Sequence, residues 1–283
     1  MPTRLSPNVN EEQRYLFDTF GYVVVPDVLS AAQIDELRST LKRPTEQFNS
    51  ADQKVIPLHW SKVWRDMLDL PALSPVLEEL IGNHGLRKAQ EARAREDATA
   101  QVLPTFRLDH INVHTHIAKG FKGGVLHGGS LGTGGCQFFR YHDGRFYNGL
   151  VSVTFELYDS HANGGGFGCI PGTHKSNLPL PASWRDLSQG VPDFVARVAA
   201  KPGDAIVFTE ALIHGTLPWT VDDIRRTVFY KFSPHATSWS GNYYDPDDFR
   251  DYPDMDDRRM TVLEPPSARY PGRPTRPRPL TEK

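Results

Sequence analysis

Three side chains in this sequence have the types and the order to do chemistry together. His127 lies in a glycine-rich stretch, GGVLHGGSLGTGG, over residues 123–135. His214 sits in KPGDAIVFTEALIHGT, where a tight turn at Pro202, Gly203 and Asp204 feeds an apolar strand. Arg225 opens RRTVFYKF, eleven residues further on. Neutral imidazoles ligate metals, and a planar guanidinium grips a carboxylate with two prongs where an ammonium offers a point charge. Each residue alone is weak evidence, because single histidines and strand-end arginines serve ordinary structural roles. At this level the stretch around His127 reads equally as a metal site short of one ligand or as a turn whose glycines need positive φ.

The elements that must position these residues begin with helices. EEQRYLFDTF predicts a helix capped by Asn10 with Gln13 in the reciprocal place and ended by Gly21, and YVVVP follows as a short buried strand. Ser30 opens a second helix with a Gln three residues on, and Ile34, Leu37 and Leu41 fall on one face. SKVWRDML and SPVLEELIG predict two more, the latter starting at Ser74 with Pro75 in the first helical position and stopping at Gly82. LRKAQEARAREDATA is charged and helix-favouring, which predicts a solvated surface helix or insertion. From about residue 105 the period changes. FRLDHINVHTHIAK alternates, with Ile111, Val113, Thr115 and Ile117 on one side and Asn112, His114 and His116 on the other. Further strands are expected at 136–141, 150–158, 167–170, 204–209 and 225–232, separated by Gly- or Pro-rich turns. Helices followed by strands without intervening helices predict a mainly β chain built as an antiparallel double-sheet barrel. The acidic YYDPDDFRDYPDMDD is expected to be a solvated loop, and the Pro/Arg-rich stretch after it an extended tail. The expected organisation is one domain over 1–263 and a tail over 264–283.

Composition sets the outer bounds. The chain has 283 residues, is 39% hydrophobic and 11% aromatic, and can bury a sizeable core. A net charge of −2 argues for neither a nucleic acid polymer nor an anionic membrane as partner. Cys136 and Cys169 are read as reduced thiols in a cytoplasmic protein, and no segment has the apolar core of a signal peptide or a membrane span.

In combination, EEQRYLFDTFGYVVVPDVLSAAQIDELRSTL, GGGFGCIPGTHKSN and PGDAIVF…HGT…R…F, with Phe232 seven residues past the arginine, resemble the phytanoyl-CoA dioxygenase family of iron(II)- and 2-oxoglutarate-dependent oxygenases. The resemblance runs from about residue 11 to about 235. It implies a double-stranded β-helix, a jelly roll of the cupin kind, with N-terminal helices packed on one sheet. It implies iron(II) on His127 and His214, with 2-oxoglutarate and O2 as co-substrates. Two histidines and a carboxylate hold one face of such an iron and leave the rest open. Arg225 is implied as the anchor of the distal carboxylate of 2-oxoglutarate, and Arg226 should turn to the opposite face.

The family pattern at the first ligand is His-x-Asp or His-x-Glu, and this chain has His127-Gly128-Gly129. The departure opens three alternatives. In the preferred one Gly129 leaves a metal position open for chloride, and the protein resembles the halogenases of this class: a chlorinase acting on an unactivated carbon. In the second it is a hydroxylase whose third ligand is water or a carboxylate from elsewhere, such as Asp143 or Asp159. In the third it is a ligand-binding module of the same fold without activity. Asn112, His114 and Thr154 are expected near 2-oxoglutarate, and His116, Arg140, Tyr141 and Phe155 near substrate, with Phe155 also reading as core. His174, in PGTHKSN, reads as loop architecture. The basic and aromatic run at 140–147 leans toward a free, polar small molecule with a nucleotide or nucleoside as first candidate, and no docking helix for a carrier protein stands out.

Overall fold

The computed structural model describes residues 11–41, 48–49, 55–116, 118–129, 135–160 and 163–268. Helix α1 (Glu11–Phe20) leads into β1 (Tyr22–Val25) through Gly21 at φ +80°. A Cβ at Gly21 would sit 2.6 Å from the His174 ring, so both the turn and its neighbour require glycine. Helix α2 (Ala31–Thr40) starts at the predicted Ser30, and both arms of its capping box with Gln33 are formed. After β2 (Phe48–Asn49) come α3 (Lys62–Asp66), α4 (Ser74–Ile81) and α5 (His84–Glu96). The cap of α4 falls one residue earlier than expected, on Leu73, because the Ser74 hydroxyl is spent on Asp69. Helix α5 buries none of its residues and is a surface helix, as its charge predicts. The expected cap of α1, Asn10, lies outside the described residues.

The β-rich body is the expected jelly roll. Strands β3 (Phe106–His116), β4 (Phe139–His142), β5 (Arg145–Asn148), β6 (Val151–Glu156), β7 (Gly166–Cys169), β8 (Ala196–Val198), β9 (Ala205–Thr209), β10 (His214–Leu217) and β11 (Arg225–Pro234) precede a last helix, α6 (Asp257–Val262). The larger sheet runs β1-β9-β6-β11-β3-β2, the smaller β10-β7-β8, and β4 with β5 forms a separate hairpin. One face of the larger sheet, with Ile111, Val113, Phe155, Val228 and Tyr230, packs on α1–α4 as the main core. The other face meets the smaller sheet through Val24, Ile206, Phe208, Phe167 and Cys169. Burying each of the large apolar side chains there contributes about 1.5–3 kcal/mol. The alternation read in β3 and β11 therefore separates a helix-facing apolar side from a polar side that looks between the sheets.

The acidic stretch after residue 233 exposes most of its aspartates, as expected, but is anchored rather than free. Tyr244 and Phe249 are buried, and Asp254 takes the Arg65 guanidinium with both carboxylate oxygens, at 2.8 and 3.0 Å. Asp254 thus pairs with an arginine of the helical layer, which the local sequence does not show. The chain remains anchored past residue 263: the Glu264 carbonyl accepts from Arg107 Nε at 3.1 Å. Among the described residues no helix is long and apolar enough to cross a membrane.

His174 illustrates the loop architecture. It is fully buried, bonds the Asp18 carbonyl through Nε2 at 2.9 Å and meets the Phe139 ring edge-on. Burial pushes its pKa down to about 4, with the Asp18 carbonyl opposing. The unfolded chain, with an ordinary histidine near 6.5, binds this proton first. Stability is therefore fully present above about pH 6.5 and is lost as pH falls toward 4, by about 3 kcal/mol from this residue. The melting temperature of wild type should drop over that range, and His174→Gln should flatten the drop; an identical pH profile in the variant would contradict the assignment.

Candidate active site

Residues 124–129 run antiparallel beside β10 and bring the two histidines face to face. Gly124 N donates to the Thr216 carbonyl at 2.7 Å, His127 and His214 exchange both backbone hydrogen bonds at 2.9 Å, and Gly129 N donates to Ala211 O at 2.9 Å. The imidazole centroids stand 4.3 Å apart. His127 Nδ1 bonds the Val125 carbonyl at 2.9 Å, and His214 Nδ1 bonds the Leu212 carbonyl at 2.7 Å. A carbonyl only accepts, so each ring carries its proton on Nδ1 and keeps the Nε2 lone pair free. Burial, with His127 adding to it and Glu210 opposing, pushes the His214 pKa down to about 4. Its ring is neutral near pH 7, as a metal ligand must be.

The glycines after His127 have separate backbone reasons. Both have positive φ, +97° at Gly128 and +98° at Gly129. A Cβ at Gly128 would lie 2.3 Å from the Leu212 carbonyl oxygen and 3.0 Å from that of Glu210. At Gly129 the same atom would meet, among the described residues, the Ile213 side chain at 3.5 and 3.7 Å. Gly128 thus permits the close approach of two backbones, and a Cβ at 129 would make only ordinary contacts among the described residues.

Opposite the histidines lies the polar face of the larger sheet. Register places His116 against Arg225, His114 against Thr227, Asn112 against Phe229 and His110 against Lys231 on β3 and β11. Arg225 is buried, and its Nη2 donates to Glu156 Oε1 at 3.2 Å. Among the described residues its Nε and Nη1 are buried without a hydrogen-bond partner, as is Asn112 Oδ1. A buried guanidinium with two unsatisfied nitrogens is costly unless an anion arrives to receive them. Arg226 turns the other way, as alternation predicts, and reaches Thr115 Oγ1 and the Leu41 carbonyl. His114 is pushed down to about 3 by burial and then by Arg225, Lys231, His116 and His127, so all four basic groups act on it. His116 is pushed down to about 4 by burial and Arg225, and stacks on Phe121 with centroids 4.1 Å apart.

The phytanoyl-CoA dioxygenase (PhyH) family model matches residues 17–227. The chain belongs to this family. Ectoine dioxygenase of Nocardia farcinica is 23% identical over 258 residues, 81% of each chain. HygX of Streptomyces hygroscopicus in its iron-bound structure is 25% identical, with a TM-score of 0.61 over 81% of this chain and 88% of that one. The HygX structure with nickel, 2-oxoglutarate and hygromycin B has 24% identity and a TM-score of 0.59, over 80% and 87% of the two chains.

The side chains of this PhyH protein fit an iron and 2-oxoglutarate. Two Nε2 lone pairs are fixed by their Nδ1 bonds, and the orphaned nitrogens of Arg225 are of the kind that receives a carboxylate. Thr154 shares the polar face, its hydroxyl 3.4 Å from the Ile206 carbonyl. Three expected pocket residues lie elsewhere. Phe155 is fully buried in the helix-side core against Tyr230, because its parity on β6 is opposite to that of Thr154. Arg140 is exposed on the β4–β5 hairpin with its guanidinium 5.4 Å from the Phe138 ring. Tyr141 is half-exposed in a cleft with Arg14 and Tyr15 of α1. The hairpin pairs with itself and carries these side chains outward, so nearness in sequence to His127 does not translate into a shared pocket.

Of the carboxylates expected as substitute ligands, Asp143 is exposed at the hairpin tip and Asp159 is exposed beyond β6. The carboxylate beside His214 is Glu210, which sequence reasoning passed over. Lys231 and Glu156 were passed over as well. Their signal was available, since Lys231 shares the parity of Arg225 on β11 and Glu210 sits four residues before His214.

Proposed function

We propose that the chain is an iron(II)- and 2-oxoglutarate-dependent oxygenase that hydroxylates a carbon of a free, polar small molecule, using a third metal ligand other than residue 129. The buried Arg225, with two unsatisfied nitrogens across from a histidine pair of fixed tautomer, carries this reading. His127 and His214 would hold the metal through Nε2. Arg225 would take the distal carboxylate of 2-oxoglutarate on Nε or Nη1 together with the second N–H of Nη2, whose other N–H is held by Glu156. His114, His116 and Asn112 would line the floor between metal and arginine. The neutral imidazoles donate or accept hydrogen bonds there without adding charge. When bound, iron with 2-oxoglutarate supplies the oxidising power to break an unactivated C–H bond.

Chlorination, the expectation raised by Gly129, gains no support from the relatives: none of those named above is described as a halogenase, and chloride has no counterpart among their bound groups. The absence of a side chain at position 129 is equally compatible with an oxygenase whose ligand comes from another segment. HygX binds hygromycin B, a small molecule, in its solved complex. That supports a small polar substrate for this chain too, with nucleosides and nucleotides retained as one class beside amino sugars and amino acids.

The test is a panel of these classes offered to iron-loaded protein with 2-oxoglutarate and isotopically labelled O2. A substrate should be recovered carrying one labelled oxygen, with succinate formed alongside and yields unchanged by added chloride. A chlorinated product that rises with chloride would return the function to halogenation.

A further inference from the structure

We infer that Glu210 supplies the carboxylate ligand that the His-Gly-Gly sequence omits, from the turn that leads into β10 rather than from the segment after His127. This rests on the reading of His127 and His214 as metal ligands.

Glu210 is almost fully buried in the turn between β9 and β10. Its two carboxylate oxygens have different surroundings. Oε1 is 2.8 Å from Lys231 Nζ and accepts from the Ser152 hydroxyl. Oε2 faces Nε2 of His214 at 3.8 Å, and no hydrogen bond reaches it among the described residues. Nε2 is the nitrogen left free for a metal by the Nδ1 bond to Leu212. Two donors each about 2.1 Å from one ion stand at most about 4.2 Å apart, so a single ion can bridge this gap. Ligating carboxylates are themselves held by hydrogen bonds from outside the metal. Lys231 and Ser152 hold Oε1 in that way and leave Oε2 for the ion.

The histidine segment is built onto the same turn. Gly129 N bonds Ala211 O, and the Cβ that Gly128 lacks would press on the carbonyls of Leu212 and Glu210. The loss of a side chain at 128 is thus what lets the segment after His127 lie against the backbone of Glu210. Among the described residues no three His, Cys, Asp or Glu side chains already converge on one point. The ion would have to draw Oε2 inward, a movement that the rotatable glutamate side chain allows. With the corner filled from Glu210, no halide is needed to balance the metal's charge.

The test is anaerobic titration of metal-free protein with cobalt(II), in chloride-free buffer at saturating 2-oxoglutarate, followed by calorimetry and by the ligand-field absorption of the ion. The variants are Glu210→Gln, the double variant Glu210→Gln/Lys231→Met, which removes the buried cation together with its partner, and His214→Ala, with thermal melts reporting the fold. Both Glu210 variants should lose more than about 100-fold in cobalt affinity and change the absorption, and added acetate should restore part of each. Wild-type affinity and spectrum in both Glu210 variants, with loss in His214→Ala, would overturn the assignment of Glu210 and leave the histidine site standing. Affinity lost in the single variant but regained in the double would show a carboxylate that only neutralises Lys231, which also overturns it. Unchanged cobalt binding in His214→Ala would overturn the metal site itself.

Discussion

Replacing Arg225 with leucine should weaken 2-oxoglutarate binding by about 10²- to 10³-fold and leave metal affinity nearly unchanged. Removing one side of a desolvated charge pair costs about 2–5 kcal/mol, and each 1.4 kcal/mol is about tenfold in affinity. A thermal melt recorded beside the titration separates this effect from folding, because the variant leaves the buried Glu156 carboxylate without its cation. Among the described residues Arg225 bonds the protein through Nη2, to Glu156, and Glu156 keeps a second donor in the Thr227 hydroxyl at 2.7 Å. The remaining two nitrogens are the ones an anion would recover. Arg225→Lys should fall between, because a lysine keeps the charge and loses the fork. Arg226→Lys is the matched control, since that guanidinium serves Thr115 and Leu41 on the opposite face. Calorimetric titration of 2-oxoglutarate into metal-loaded protein reads all three. Wild-type affinity in Arg225→Leu would place the anchor elsewhere.

Replacing His214 with alanine should lower iron(II) affinity by more than about 10³-fold, and His127→Ala should act in the same direction. A carboxylate and one imidazole cannot hold a divalent transition ion against water as a facial set does. His214 is the more sensitive position. Its ring is buried between Phe208 and the His127 ring, with centroids at 4.7 and 4.3 Å, so its Nε2 has no freedom to be replaced by solvent. His127 is exposed, and its loss opens the site rather than the core. The thermal melt of His214→Ala should fall as well, and that of His127→Ala should change little. Equilibrium dialysis against iron(II) under anaerobic conditions distinguishes the outcomes, and undiminished iron in both variants would refute the assignment of both ligands.

Much of this site was legible in the sequence because it depends on parity. In FRLDHINVHTHIAK every second residue from Asn112 to His116 lands on the polar face, and the same rule sends Arg225 to that face and Arg226 to the helix-facing one. Ser30 and Gln33 encode a cap within four residues, and that local device formed as written. What was not legible depends on contacts between distant segments. Glu210 gains its place from Ser152 and Lys231, which lie on different strands, and nothing near residue 210 announces them. The acidic stretch around Asp254 looked solvated because its arginine partner is 189 residues away, in α3. The hairpin residues Arg140 and Tyr141 misled for the converse reason. They are close to His127 in sequence, yet β4 and β5 pair with each other and turn these side chains away.

The glycines after His127 show how one departure from a motif can carry two physical causes. Gly128 is needed because a Cβ there would collide with the Leu212 carbonyl. Gly129 has space and a positive φ, and an aspartate there would be strained by about 1–3 kcal/mol even where it fits. The close run of the two backbones accounts for Gly128, and the positive φ accounts for the absence of a side chain at 129.

The most direct test of the central claim, that His127, His214 and Arg225 form one iron and 2-oxoglutarate site, is an anaerobic titration of 2-oxoglutarate into the iron(II)-loaded protein, followed by visible absorption. Chelation through the keto and carboxylate oxygens should produce a metal-to-ligand charge-transfer band that saturates stoichiometrically, disappears in His214→Ala and requires far more 2-oxoglutarate in Arg225→Leu. An iron-loaded wild-type protein whose spectrum does not change at any concentration of 2-oxoglutarate would contradict it.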